Sequence, residues 1–258
     1  MKKIVFITLI LICGRVALGQ QTSLKPFEEI QVPITPWHHV PALIHLPPNM
    51  KEGKKYPIII AFHGKSIAGD DVTKIFHQGV TKQMHAGKNI DAVNKVDGKK
   101  YEFIVFAPLA TSWSLGPEHL NVALDDLLKR YPIDPARVYI TGYSAGGWSV
   151  GMAITDPVTA PRIAAAVCMS PASIYDKNLK SFSITAKNNI HTWYFAGTEE
   201  IAFLSNCKAY VDSTNKYKPG LTKITIGDHK HCCWETYYTP SYKEDGLNIY
   251  EWLLQYKK

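Results

Sequence analysis

The stretch Val138-Tyr139-Ile140-Thr141-Gly142-Tyr143-Ser144-Ala145-Gly146-Gly147 decides how the chain is read. Its first four residues are β-branched or aromatic, which suits a buried strand. Glycine then brackets a serine at two residues on either side, and from about Ala145 the pattern is helical. This G-x-S-x-G spacing at a strand-to-helix passage predicts a tight turn that lifts the Ser144 hydroxyl above the sheet edge. Side chains at 142 and 146 would collide with the neighbouring strand and helix, so glycine stands at both. The helix behind the serine offers unpaired N–H groups and the positive end of its dipole. The alternative, a glycine-rich turn with an incidental serine, does not account for the strand and helix on its flanks.

On both sides of this turn, strands and helices alternate. Ala42 to Leu46 reads as a short strand ended by Pro47-Pro48. Pro57-Ile58-Ile59-Ile60-Ala61-Phe62 and Phe103-Ile104-Val105-Phe106-Ala107 are continuous apolar runs, the mark of strands buried on both faces. Between them a helix is expected over Asp70 to His85, opened by the acidic pair Asp70-Asp71 and closed by Gly87. His119 to Arg130 carries Leu120, Ala123, Leu124, Leu127 and Leu128 at helical spacing. Further strands are expected at Arg137 to Thr141, Ala164 to Met169, Thr192 to Ala196 and Thr222 to Ile226, with a helix through Ala202 to Val211. Tyr242 to Tyr256 reads as a C-terminal helix. Such alternation argues for one α/β domain, a mostly parallel sheet covered on both sides.

The 258 residues suffice for one large domain, and 46% hydrophobic with 20% charged residues is an ordinary globular balance. Lys2 and Lys3, the apolar run Ile4 to Cys13, and the small residues Ala17 and Gly19 read as a signal peptide over 1–19, cleaved before Gln20. That predicts a secreted or periplasmic protein with a mature domain over 20–258 and no membrane span. Of the formal net charge of +7, Lys2, Lys3 and Arg15 supply three, leaving +4. The remaining lysines are scattered or in short pairs such as Lys54-Lys55, which mark solvated loops and give no nucleic-acid footprint. Four cysteines remain, and export favours disulfides. Cys207 is expected to pair with Cys232 or Cys233; four buried or free thiols are the alternative.

Acyl transfer at Ser144 needs a base, an orienting acid and donors for a developing oxyanion. The N–H of Ala145 is one expected donor. The other is the N–H of Lys65, in the Phe62-His63-Gly64-Lys65 loop after the third strand. His63 reads as a loop brace rather than a catalytic group. The base should follow the last strand, where His229 and His231 both stand. The acid should follow Thr192 to Ala196, at Glu199 or Glu200. A zinc site from the two histidines and Cys232-Cys233 lacks the spacing of a zinc module, so neither metal nor cofactor is expected.

Further landmarks are Leu46-Pro47-Pro48, Tyr56-Pro57-Ile58-Ile59 leading to His63-Gly64, Gly69-Asp70-Asp71, and Ala107-Pro108 followed by Trp113. Tyr131-Pro132-Ile133-Asp134-Pro135-Ala136-Arg137-Val138-Tyr139 and His231-Cys232-Cys233-Trp234 with Tyr238 complete them. Together with the serine turn, the chain from about Val40 onward resembles the minimal α/β-hydrolases sometimes labelled predicted peptidases. These are related to bacterial carboxylesterases, feruloyl-type esterases and polyhydroxybutyrate depolymerases. The resemblance implies a single-domain α/β-hydrolase fold with an eight-stranded sheet and a serine esterase mechanism. It selects His231 over His229, because Trp234 follows at the family's H-x-x-W spacing. It selects Glu200 as acid where relatives carry aspartate, a departure that leaves Glu199 open.

Between Met169 and Thr192 there is room for little beyond loop and one helix, so no large cap is expected. An open cleft suits bulky or polymer-attached esters, and Trp113 and Trp234 could form an aromatic platform beside Ser144; ordinary packing is the alternative for both. The expected substrates are short acyl or hydroxycinnamoyl esters, including those on polysaccharides. Two rivals are a serine peptidase of the same fold and a catalytically silent carbohydrate-binding relative.

Overall fold

Three consecutive isoleucines, 58 to 60, are wholly buried, and alternate side chains of a strand point to opposite faces. A strand of that kind needs a layer on each side. The computed structural model describes residues 23–174 and 176–258 and supplies both layers. The residues read as a signal peptide, 1–19, lie outside the described residues.

The main sheet contains β1 (Glu28–Pro33), β2 (His39–His45), β3 (Tyr56–Phe62), β4 (Ile104–Pro108), β5 (Ile133–Tyr143), β6 (Ala165–Met169), β7 (His191–Gly197) and β8 (Thr222–Gly227). Their spatial order is β1-β2-β4-β3-β5-β6-β7-β8. β1 runs antiparallel to β2 and β2 antiparallel to β4, and all other pairings are parallel. Ile60 lies between Phe106 of β4 and Ile140 of β5, placing the end of β5 centrally in the sheet.

One face is covered by α2 (whose bounds are Pro117–Arg130), α3 (Ala145–Thr155) and α5 (Ile201–Tyr217), with the short α4 (Phe182–Lys187) beside them; α1 (Gly79–His85), α6 (Glu235–Tyr238) and α7 (Ile249–Leu253) cover the other. Ile58, Ile60, Val138 and Ile140 pack with Leu120, Leu124 and Val150 on the first side. Ile59, Tyr139, Val167 and Phe195 pack with Val80, Met84 and Trp252 on the second. Between β6 and β7 the described residues form a 3-10 turn and α4, with no cap domain. Among the described residues no helix is long and apolar enough to cross a membrane.

Several expectations change. The eighth strand, β1, has no counterpart in the strands read from sequence; of its residues only Val32 is buried, so it lacks an apolar signature. The helix expected over Asp70 to His85 is interrupted: Asp71 caps a 3-10 turn over Val72–His77, Gln78 is extended, and α1 starts at Gly79 with φ 79°. The C-terminal helix shrinks to α7, capped by Asn248 and Glu251. Before it, Glu244 and Leu247 pair across a tight turn in which Asp245 and Gly246 have φ of 53° and 77°. Asp-Gly is a strong signal for such a turn, and here it overrides the helical spacing of Leu247, Tyr250 and Leu254.

Candidate active site

β5 delivers Tyr143 to the sheet edge and α3 departs at Ala145, so Ser144 must reverse the chain within one residue. It does so at φ 55° and ψ −115°, a region that β-carbons disfavour. Surrounding bonds fix it: the Ser144 N–H donates to Met169 O at 3.0 Å, and the Ser144 carbonyl accepts from Trp148 and Ala172 N–H, each at 3.0 Å. A β-carbon at Gly142 would strike the Gly146 carbonyl, and one at Gly146 would strike the Phe62 carbonyl. The glycine spacing is thus a packing requirement of the turn.

The Ser144 hydroxyl lies 3.0 Å from His231 Nε2, and His231 Nδ1 lies 2.6 Å from Glu200 Oε2. A carboxylate can only accept, so the proton sits on Nδ1, and Nε2 accepts from the serine. The Glu200 side chain is 1% exposed. A carboxylate buried so deeply needs donors, and its Oε1 has two at 2.5 Å, the Gly197 N–H and the Ser170 hydroxyl. Trp234 Nε1–H donates in turn to Ser170 Oγ at 2.9 Å. Phe203 of α5 stacks on the His231 ring at 3.7 Å between centroids.

The loops carrying the acid and the base are joined to each other. Thr198 N–H donates to Gly227 O at 2.8 Å, Glu199 N–H to His229 O at 3.2 Å, and Thr198 Oγ1 to Asp228 at 2.9 Å. Glu199 itself is exposed and reaches only Lys230, at 4.0 Å. His229 has both ring nitrogens engaged, Nδ1–H with Lys230 O at 2.7 Å and Nε2 with the Tyr237 hydroxyl at 2.8 Å. The structure therefore brings Ser144, His231 and Glu200 together and leaves Glu199 and His229 outside the array. Tyr238 is buried on the second face, its hydroxyl 2.8 Å from Thr141 Oγ1, where it braces the strand leading into the turn.

A cleft of about 270 Å³ opens over Ser144 and His231, with Gly64, Lys65, Gln78 and Trp234 among its walls. Ala145 is the first residue of α3, so its N–H has no partner within the helix. Lys65 likewise opens a 3-10 turn, capped by Gly64. A β-carbon at Gly64 would sit 2.7 Å from the Tyr143 ring and 3.6 Å from Ser144 Cβ, which shows how close this loop comes to the serine. His63 acts as the loop brace. Its Nε2 accepts from Ala110 N–H and its Nδ1 meets the Gly64 carbonyl, both at 2.9 Å. Burial holds its pKa below the ordinary imidazole value.

One expectation needs correction here. Cys207 does not pair with the base loop: it is fully buried on the inner side of α5, its Sγ toward the Phe195 carbonyl, and Cys168 is also a buried thiol. The disulfide instead joins the neighbours Cys232 and Cys233. Trp113 lines a recess with Ile34, His38 and His119, and its ring meets that of Trp148 on α3 edge-on, at 6.5 Å between centroids. The ammonium of Lys65, a residue of the cleft wall, lies 5.7 Å from the Trp113 ring centroid. Trp234 does wall the cleft, yet it is 5% exposed and stacked on Tyr143 at 4.8 Å, so its main contacts are packing. Ser170 and Phe203 carried no sequence signal; the φ of 44° at Ser170 becomes visible only in three dimensions. Among the described residues, no cluster of three or more His, Cys, Asp or Glu side chains could hold a metal ion. A larger cavity of about 460 Å³ lies by His45, His85 and Phe103 and contains none of the Ser144 array.

No family profile and no curated protein sequence matches the chain. Its backbone is similar to that of several solved structures. A thermostable esterase superposes with a TM-score of 0.64 at 17% identity, over 91% of this chain and 64% of that one. A ferulic acid esterase gives 0.58 at 15% identity, over 82% and 94%. The S-formylglutathione hydrolase of Staphylococcus aureus gives 0.59 at 12% identity, over 88% and 96%. The chain thus spans less than two thirds of the thermostable esterase's length and most of the other two. Strand order, the serine turn between β5 and α3, and these likenesses agree: the chain has the α/β-hydrolase fold.

Proposed function

We propose that the protein is a serine hydrolase that cleaves carboxylic esters through an acyl-enzyme on Ser144. The observation that carries this reading is the continuous array Ser144–His231–Glu200, with contacts of 3.0 and 2.6 Å at the mouth of the cleft. In this reading His231 Nε2 takes the serine proton as Oγ attacks the ester carbonyl. Buried Glu200 holds the imidazole in the Nδ1–H tautomer and stabilises the imidazolium. The N–H groups of Ala145 and Lys65 receive the oxyanion. His231 then gives its proton to the departing alcohol, and water releases the acid by the same steps in reverse.

The capless connection after β6 and a cleft of about 270 Å³ favour short acyl or hydroxycinnamoyl groups on an alcohol that extends into solvent, including a polysaccharide. Of the similar structures, one is described as a ferulic acid esterase. We further propose export, with cleavage before Gln20, on the pattern of residues 1–19; the intact mass of the secreted protein checks it. The function is tested by hydrolysis of nitrophenyl acetate, feruloyl-sugar esters and a peptide-amide panel. Ester cleavage abolished by Ser144→Ala supports the reading. Cleavage of peptides alone would make the enzyme a peptidase, and inertness toward all three would leave a silent binder.

A further inference from the structure

The Cys232–Cys233 disulfide is assigned no task by the proposed reaction. It directly follows His231 and directly precedes Trp234. His231 bonds to both Ser144 and Glu200, while Trp234 reaches Glu200 through Ser170. Bridging adjacent residues closes an eight-membered ring around their shared peptide, which fixes the chain between these two anchors. Cys233 stands at φ 67°, where a residue with a β-carbon rests poorly unless the surroundings hold it. Cys232 walls the cleft over Ser144, and Cys233 is exposed. The other described cysteines, Cys168 and Cys207, are fully buried, and burial pushes their thiols far above the ordinary range. Among the described residues, the cysteines that solvent can reach are therefore confined to the loop that carries the base.

We propose that the Cys232–Cys233 disulfide is a positioning element for His231, and that its opening by a dithiol reductant lowers hydrolysis. The inference rests on the reading of Ser144 and His231 as nucleophile and base. A thiolate of the reductant attacks Sγ of Cys233, the more exposed of the two residues, and Cys232 Sγ leaves as a thiolate that takes a proton from solvent. The second reductant thiol then attacks the mixed disulfide and releases Cys233 as a thiol. The protein gains two electrons and two protons, and the reductant becomes its cyclic disulfide. With the ring open, Cys233 is free to leave its left-handed conformation. The loop then no longer fixes the distance from His231 to Ser144. Misplacement of a catalytic group by about 1 Å costs on the order of 100-fold in rate. An oxidising compartment would keep the ring closed and the enzyme active.

The test uses the full protein and dithiothreitol. Folded enzyme is titrated with reductant, new thiols are trapped with iodoacetamide and mapped, and nitrophenyl acetate hydrolysis is followed alongside hydrogen exchange over 228–234. The expected result is alkylation at 232 and 233 but not at 168 or 207. In parallel kcat should fall about 10- to 100-fold with KM little changed, exchange in the loop should rise, and reoxidation should restore kcat. A Cys232→Ser, Cys233→Ser double variant should show the lowered kcat from the start and no response to reductant. Mapped reduction of both sulfurs with kcat unchanged overturns the proposal, as does a ring that dithiothreitol cannot open in the folded protein. If the oxidised enzyme hydrolyses no ester, the reading of Ser144 fails on its own. Loop exchange that is unaltered by reduction would then still refute the positioning role.

Discussion

Ser170 carries no chemistry of its own, yet the structure gives it leverage over the site. Its hydroxyl donates to Glu200 Oε1 at 2.5 Å and accepts from Trp234 Nε1 at 2.9 Å, and it is fully buried. Ser170→Ala removes a bond to a buried carboxylate, worth about 1.5–3 kcal/mol, and leaves an indole N–H unpaired at about 1–3 kcal/mol. Because the two losses share one atom they do not simply add, and a combined destabilisation of about 3 kcal/mol is expected. Ser170 also sits at φ 44°. Ser170→Gly loses the same two bonds but relieves the backbone, so it should be about 1 kcal/mol less destabilising than Ser170→Ala. Glu200 keeps the Gly197 N–H and His231, so the imidazole stays paired and kcat should fall only about tenfold, near 1.4 kcal/mol. Urea unfolding at matched m-values and nitrophenyl acetate kinetics measure both quantities. If Ser170→Ala shifted stability by less than about 0.5 kcal/mol, the size typical of an unremarkable surface change, the bridge would not be holding Glu200.

Three further outcomes are expected. Glu200→Gln should lower kcat by about 10³- to 10⁴-fold, as loss of the acid does in such arrays, whereas Glu199→Gln, exposed and 4.0 Å from Lys230, should stay near wild type; equal losses would reverse the assignment. Phe203→Ala removes the ring stacked on His231 and should lower kcat more than it raises KM, as read from full Michaelis curves. His63 must be neutral for Nε2 to accept from Ala110, and burial lowers its folded pKa. Its contribution is therefore complete above the unfolded value, about pH 6.5, and is lost as pH falls through the lower folded value, because the unfolded chain binds the proton first. His63→Gln should cost stability at neutral pH yet flatten the decline of Tm toward acid; an unchanged decline would remove His63 from the account.

What could be read from the sequence follows physical scale. The serine turn was legible because one strand, two glycines and a helix start are local, and Gly142 and Gly146 are required by contacts with their near neighbours. The buried strands were legible because Ile58–Ile60 and Ile104–Phe106 bury both faces. β1 was not, since an antiparallel edge strand needs one buried side chain at most, here Val32. The split before α1 turned on Gly79 at φ 79°, where helical spacing continued across a break. At the site, spacing limited the base to two histidines and the acid to two glutamates; the resemblance singled out His231 and Glu200, and the coordinates bring those two together with Ser144. Ser170, Phe203 and the ring at Cys232–Cys233 belong to three different loops or helices and meet only after folding.

The most direct measurement is covalent capture. Treated with a fluorophosphonate probe and digested, the protein should yield a single adduct, on the peptide bearing Ser144. That adduct should vanish in Ser144→Ala and form far more slowly in His231→Ala. A protein that stays unmodified, or that carries the probe on a different side chain, would contradict the claim that this serine is the activated nucleophile.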